Sequence, residues 1–141
     1  MAQLTASDRG AIVDDVQRFL RDYQNAVSSG DLAAIAQLYD DDPAFHWIEN
    51  GKVSYESHAA LVAVFKGFQS SVQELRLTLG DTRIEPLAPS VASVSGSYSQ
   101  VFVDQAGKRY ETAGAMTLVV VRRDGGWRIL MGHVSQEPKP E

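Results

Sequence analysis

Three side chains of this 141-residue sequence stand where polar chemistry could be done: Tyr23, Glu49 and His133. In the segment Trp127 to Ser135, His133 alternates with Met131 and Ser135, and residues two apart on a strand share a face. An imidazole there titrates near neutral pH and, oriented by the Ser135 hydroxyl, can act as a general base. The plainer reading, which outweighs this one, is a buried histidine hydrogen-bonded to a neighbouring strand. Glu49 lies two residues beyond Trp47 and faces the same way in an extended chain, so its carboxylate could stand against an apolar wall that raises its pKa. The plainer alternative is a wall-edge carboxylate or a surface ion pair. Tyr23 puts a phenol on the apolar stripe of a helix.

Other chemistries find little support. With no cysteine there is no disulfide, zinc-thiolate site or thiol nucleophile. His46 and His58 have no partner at ligand spacing, so no metal is expected. Asp40, Asp41 and Asp42 read as a solvated loop, because a calcium site needs six or more oxygens from a spaced loop. Nucleophile elbow, phosphate loop and dinucleotide fingerprint are all missing, and no cofactor is expected. A net charge of −5 with scattered Lys and Arg repels phosphate backbones, which argues against nucleic acid. The apolar run Leu118 to Val121 is far too short for a bilayer, and the N-terminus lacks a leader pattern, so a soluble cytoplasmic protein is expected.

These side chains need elements to position them. Ile12, Val16, Phe19, Leu20, Tyr23 and Val27 recur at helical spacing, with Thr5 and Asp8 as a capping pair and Gly30 as a left-handed stop. Asp31 caps a second helix with Leu32, Ile35, Leu38 and Tyr39 on its apolar face, closed by Asp41-Asp42-Pro43. Segments 44–49 and 52–55 flank Asn50-Gly51, a tight-hairpin dipeptide. Ser57 caps a third helix carrying Leu61, Val62, Val64, Phe65 and Phe68. Alternating segments at 72–85, 91–103, 109–123 and 127–135, separated by turn residues, predict an antiparallel meander. The predicted domain is 1–135, and 136–141 is expected to be a frayed, disordered tail.

The order helix, helix, hairpin, helix, meander resembles the NTF2-like superfamily, in particular its SnoaL-like and ketosteroid-isomerase-like branches. Local signals carry the likeness: Tyr23 ahead of Gly30-Asp31-Leu32, the helix running into Asp41-Asp42-Pro43-Ala44-Phe45, and the ending Asp124-Gly-Gly-Trp127-Arg-Ile129 with His133 and Ser135. The resemblance implies an α+β cone, three N-terminal helices packed on a curved antiparallel β-sheet around a pocket. It places Tyr23 where the isomerases carry an oxyanion-stabilising tyrosine. Their catalytic aspartate position falls on Trp47, which cannot take a proton, so isomerisation by that route is not expected. Met131 and Ala115 stand where many SnoaL-like relatives have histidine and arginine, which implies a larger, more apolar pocket.

Parity then assigns the pocket walls. The expected lining is Trp47, Tyr55, Phe65, Phe68, Tyr98, Gln100, Phe102, Thr117 and Met131, with Tyr23, Glu49 and His133 as polar groups. One expectation is a small apolar or aromatic ligand held by a non-catalytic binder. A second is an isomerase, cyclase or dehydratase using Tyr23 with His133 or Glu49 as base. A third is an association module, a homodimer through the outer sheet face formed by Ser95, Ser97, Ser99, Val101 and Val103 with Met116, Leu118 and Val120.

Overall fold

The computed structural model describes residues 3–138. Helix α1 (Ala6–Ser29) starts from a reciprocal capping box: the Thr5 hydroxyl accepts from the Asp8 N–H while the Asp8 carboxylate accepts from the Thr5 N–H. It stops at Gly30, whose φ of 73° is left-handed. The expected stripe from Ile12 to Val27 is buried, and the helix lies across the longest strand, β3 (Val72–Ala88).

Helix α2 (Leu32–Ala36) is capped by Asp31 as expected but ends three residues before Tyr39. Leu38 and Tyr39 leave the helix because the sheet offers their backbone other partners. The Ile129 N–H donates to the Leu38 carbonyl at 2.9 Å, and the Asp40 N–H donates to the Ile129 carbonyl at 2.8 Å. Asp40 therefore does not belong to a solvated cluster. Its side chain is 5% exposed and accepts two hydrogen bonds from Arg123, at 3.0 and 2.8 Å. Those bonds hold the Asp40 carboxyl below its ordinary pKa of 3.8 despite burial.

Strands β1 (His46–Glu49) and β2 (Lys52–Tyr55) turn at Asn50 (φ 50°) and Gly51 (φ 89°), the two positive φ values a tight hairpin needs. Helix α3 (His58–Phe68) follows, capped by Ser57, with a 3-10 turn at Gln69–Ser71. Gln69 ties this region back to α2: its Oε1 accepts from the Leu32 N–H at 2.7 Å and its Nε2 donates to the Gly30 carbonyl at 2.9 Å. Strands β3, β4 (Val91–Asp104), β5 (Arg109–Arg123) and β6 (Gly126–Gln136) complete an unclosed, curved six-stranded sheet ordered β2-β1-β6-β5-β4-β3. Neighbours are antiparallel except β1 and β6, which run parallel. The core between helices and sheet is sealed by Val16, Phe45, Leu61, Val94, Leu118, Val120 and Ile129.

Two strands present the opposite face from the one expected. Tyr98, Gln100 and Phe102 on β4 lie opposite Gly114, Thr112 and Tyr110 on β5, and directly opposed residues share a face. Met116, Leu118 and Val120 therefore point inward and are buried, while Ala113, Ala115, Thr117 and Val119 face outward. On β6 the pairing steps from Val120 with Ile129 to Val119 with Met131, leaving Leu130 as an extra residue. Side chains beyond that bulge change face. Strand β6 also runs to Gln136, and the Glu137 N–H donates to the Ala113 carbonyl at 2.7 Å, so the first two residues of the expected tail are held. Residues 139–141 lie outside the described residues. Among the described residues no helix is long and apolar enough to cross a membrane.

Candidate functional site

The concave face of the sheet and the three helices leave a cavity of about 360 Å³, within the range of small-molecule sites. Its depth is set by Tyr23, which α1 carries on its buried stripe, and by Tyr39, which the departure of the chain from α2 turns inward. The two phenols meet at 2.5 Å between hydroxyl oxygens, with ring centroids 5.9 Å apart at 81°. One hydroxyl proton is used in that hydrogen bond, which leaves the other for a cavity occupant. Burial, and to a lesser degree the charge of Glu49, pushes the Tyr23 phenol up to about 12. Burial also raises Tyr39 well above its ordinary value, so both are neutral donors at physiological pH.

Trp47 and Glu49 reach the cavity together from β1, as strand parity predicts. The Trp47 Nε1–H donates to Glu49 Oε1 at 2.8 Å, which fixes the carboxylate against the indole. The indole itself lies flat on β6 at Gly132, where a Cβ would stand 2.1 Å from Cζ3. Only a glycine permits that approach. Tyr39 packs edge-on to Trp47 at 5.7 Å and to Phe65 at 6.3 Å, and Phe65 packs edge-on to Tyr55 at 6.0 Å.

Phe68, Phe102 and Tyr110 form a stack at the mouth, with centroid spacings of 4.9 and 5.6 Å. Tyr98 and Gln100 project from β4 between this stack and the depth. Phe68 and Val64 on α3 are more than a third exposed, so the stripe expected to seal that helix onto the core instead borders the opening. Within α3 only Leu61 is fully buried.

The structure thus brings together Tyr23, Glu49, Trp47, Tyr55, Phe65, Phe68, Tyr98, Gln100 and Phe102. Three expected members are absent from the lining. His133 and Met131 are turned to the outer face by the extra residue Leu130, and His133 is exposed there opposite Thr117. Thr117 faces outward because its register opposite Ser95 turns Met116 and Leu118 inward, a choice alternation alone does not make when both faces of β5 carry apolar side chains. His133 therefore cannot serve as the base of this cavity. The residues missed are chiefly Tyr39, Tyr110, Met116 and Gln136. Opposition to Phe102 could have revealed Tyr110 once the hairpin register was known. Nothing in the local sequence marks the exit of Tyr39 from its helix.

Comparison with known proteins follows the same lines. A family model described as a SnoaL-like domain matches residues 16–138. None of the curated proteins matches. Among solved structures, an NTF2-like protein of unknown function from Shewanella oneidensis MR-1 is 30% identical, with a TM-score of 0.65 over 87% of this chain and 98% of that one. An NTF2-like superfamily protein from Salmonella enterica serovar Typhimurium is 17% identical, with a TM-score of 0.76 over 94% and 95%. A type 2 hexachlorocyclohexane dehydrochlorinase is also 17% identical, with a TM-score of 0.74 over 95% and 90%. At such identities the last two show a shared fold.

Proposed function

Because the chain belongs to the SnoaL-like family of the NTF2-like superfamily, we propose that its cavity binds a small, largely apolar or aromatic organic molecule. The observation that carries this reading is an aromatic-walled cavity of about 360 Å³ with few, converging polar groups. Tyr23 and Tyr39 offer one free hydroxyl proton at its depth, Gln100 an amide, and Glu49 a carboxylate. A ligand oxygen held by the phenol pair, with its apolar body against Leu75, Leu77 and Met116, satisfies both parts of the lining.

A second reading, a lyase- or isomerase-type enzyme, is favoured by one observation: two neutral phenols and a carboxylate share the cavity. A phenol proton can stabilise a developing oxyanion or leaving group while the carboxylate accepts a carbon-bound proton. A hexachlorocyclohexane dehydrochlorinase, by its name an enzyme that eliminates hydrogen chloride, shares the fold. His133 has no place in either reading.

Native mass spectrometry of protein taken directly from cells, followed by binding and turnover assays of Tyr23→Phe on whatever is retained, separates the two. A binder loses roughly tenfold or less in affinity, the scale of one neutral hydrogen bond. An enzyme loses about 10²- to 10⁴-fold in turnover. Failure to retain or bind any small organic molecule counts against both.

We also propose a cytoplasmic homodimer through the outer sheet face. The support is a run of small side chains, Ser95, Ser97 and Ser99 beside Ala113, Ala115 and Thr117, that lets a second sheet approach closely. Met116, Leu118 and Val120 take no part in that face. Sedimentation equilibrium is expected to return twice the chain mass, and a monomer at micromolar concentration sinks the proposal.

A further inference from the structure

The cavity wall has a charge character that the proposed function does not use. Among the described residues nine aromatic side chains line it, Glu49 is the one charged residue, and no Lys, Arg or His contributes to the wall. The π faces of aromatic rings are electron-rich and attract cations, most strongly where water is excluded. Trp47 engages Glu49 through Oε1, which leaves Oε2 without a hydrogen bond from the described residues. Burial, and with it the negative charge of Glu49, raises the hydroxyl pKa values of Tyr23, Tyr39, Tyr55 and Tyr98, which line the same cavity from four different segments.

An anionic ligand would meet this carboxylate with no lining cation among the described residues to compensate. A neutral ligand would leave its charge unanswered in a partly dry site, which is costly. A cation answers it twice, through the carboxylate and through the rings. The mouth already does so on a smaller scale, where the Lys108 ammonium stands 5.0 Å from the ring centroid of Tyr110 although Lys108 does not line the cavity. The net charge of −5 adds a field that concentrates cations around the molecule.

We propose that the ligand class of this cavity is an organic cation, a protonated or quaternary amine on an apolar or aromatic body, with Glu49 as counter-ion and the Trp47, Tyr55 and Tyr98 rings as its cage. This rests on the cavity being a small-molecule site and narrows the class that it takes. Val27, Leu32, Ile35, Leu75 and Leu77 supply the apolar wall for the body of the molecule.

A pair of probes with the same shape and different charge tests it: 3-(trimethylammonio)phenol and 3-tert-butylphenol, titrated calorimetrically at pH 6.5 against the wild-type protein and Glu49→Gln. The cation is expected to bind the wild type at least about tenfold more tightly, the order expected of a desolvated cation–π site with a counter-ion. In Glu49→Gln, whose amide oxygen can still accept from Trp47, the ratio of the two affinities is expected to fall several-fold towards one. Equal wild-type affinities, or preference for the neutral probe, overturn the cation proposal and leave the small-molecule site standing. Binding of neither probe at millimolar concentration overturns both. The wild-type comparison stands by itself if the variant folds poorly.

Discussion

The Gly132→Ala variant is expected to lose about 3 kcal/mol of stability and most of its ability to hold a ligand, since overpacking a filled site costs this order. The added Cβ would lie 2.1 Å from Cζ3, 2.5 Å from Cε3 and 2.8 Å from Cη2 of Trp47. A rigid indole cannot bend away from one atom, so either the whole ring leaves β6 or the β1 to β6 pairing opens. Departure of the ring also breaks the hydrogen bond that orients Glu49. Thermal unfolding should show a midpoint lower by about 10 °C for a chain of this size. Adding Trp47→Leu to Gly132→Ala should recover part of that loss, because the two changes meet at one contact and so are not additive. A single Gly132→Ala variant as stable as wild type would refute the account of how Trp47 is seated.

Arg123→Met is expected to destabilise the protein at neutral pH. The substitution leaves the buried Asp40 carboxylate without its guanidinium partner, but Arg123 is 46% exposed, and solvent screening reduces the cost. The loss should depend on pH in a definite sense. Arg123 depresses the Asp40 carboxyl below 3.8 in the folded protein, so the folded state binds that proton more weakly than the unfolded state. The pair's contribution is therefore complete above the unfolded value and disappears as pH falls through the folded one. Urea unfolding of wild type and variant should differ at pH 7 and draw together as pH falls below 3.8. A gap that stays constant across that range would assign the loss to packing of the arginine stem. Asp40 follows Tyr39 directly, so the variant should also loosen the phenol at the depth of the cavity.

How much of this could be read from the sequence divides along physical lines. Features set by neighbours in the chain were legible: the Thr5 and Asp8 capping box, the Gly30 stop, the Asn50-Gly51 hairpin, and the shared face of Trp47 and Glu49. Each depends on local sterics or on strand alternation over a few residues. Features set by partners distant in the chain were not legible. Tyr39 continues a helical spacing, yet a backbone contact with Ile129, ninety positions away, removes it from the helix. Strand β5 alternates two apolar sets, Ala113, Ala115 and Val119 against Met116, Leu118 and Val120, and only its register against β4 decides between them. The misplacement of His133 and Met131 has a single origin in Leu130, since one unpaired residue reverses every side chain that follows it.

That same residue makes β6 a strand with two readable frames. Past Leu130, one frame offers the cavity Gly132, Val134 and Gln136, and the other offers Met131, His133 and Ser135. The frame in use gives a cavity without imidazole and with room for the Trp47 indole; the unused one would put Met131 where Gly132 lies under that indole and His133 where Val134 stands beside Glu49. Straightening the strand at Leu130 with no change in its residues would exchange the two frames, turning His133 to the cavity and Gly132 away from it. Sequence alignments that place a gap freely in this strand would conceal that difference, and histidines that coincide in such alignments can stand on opposite faces of the sheet.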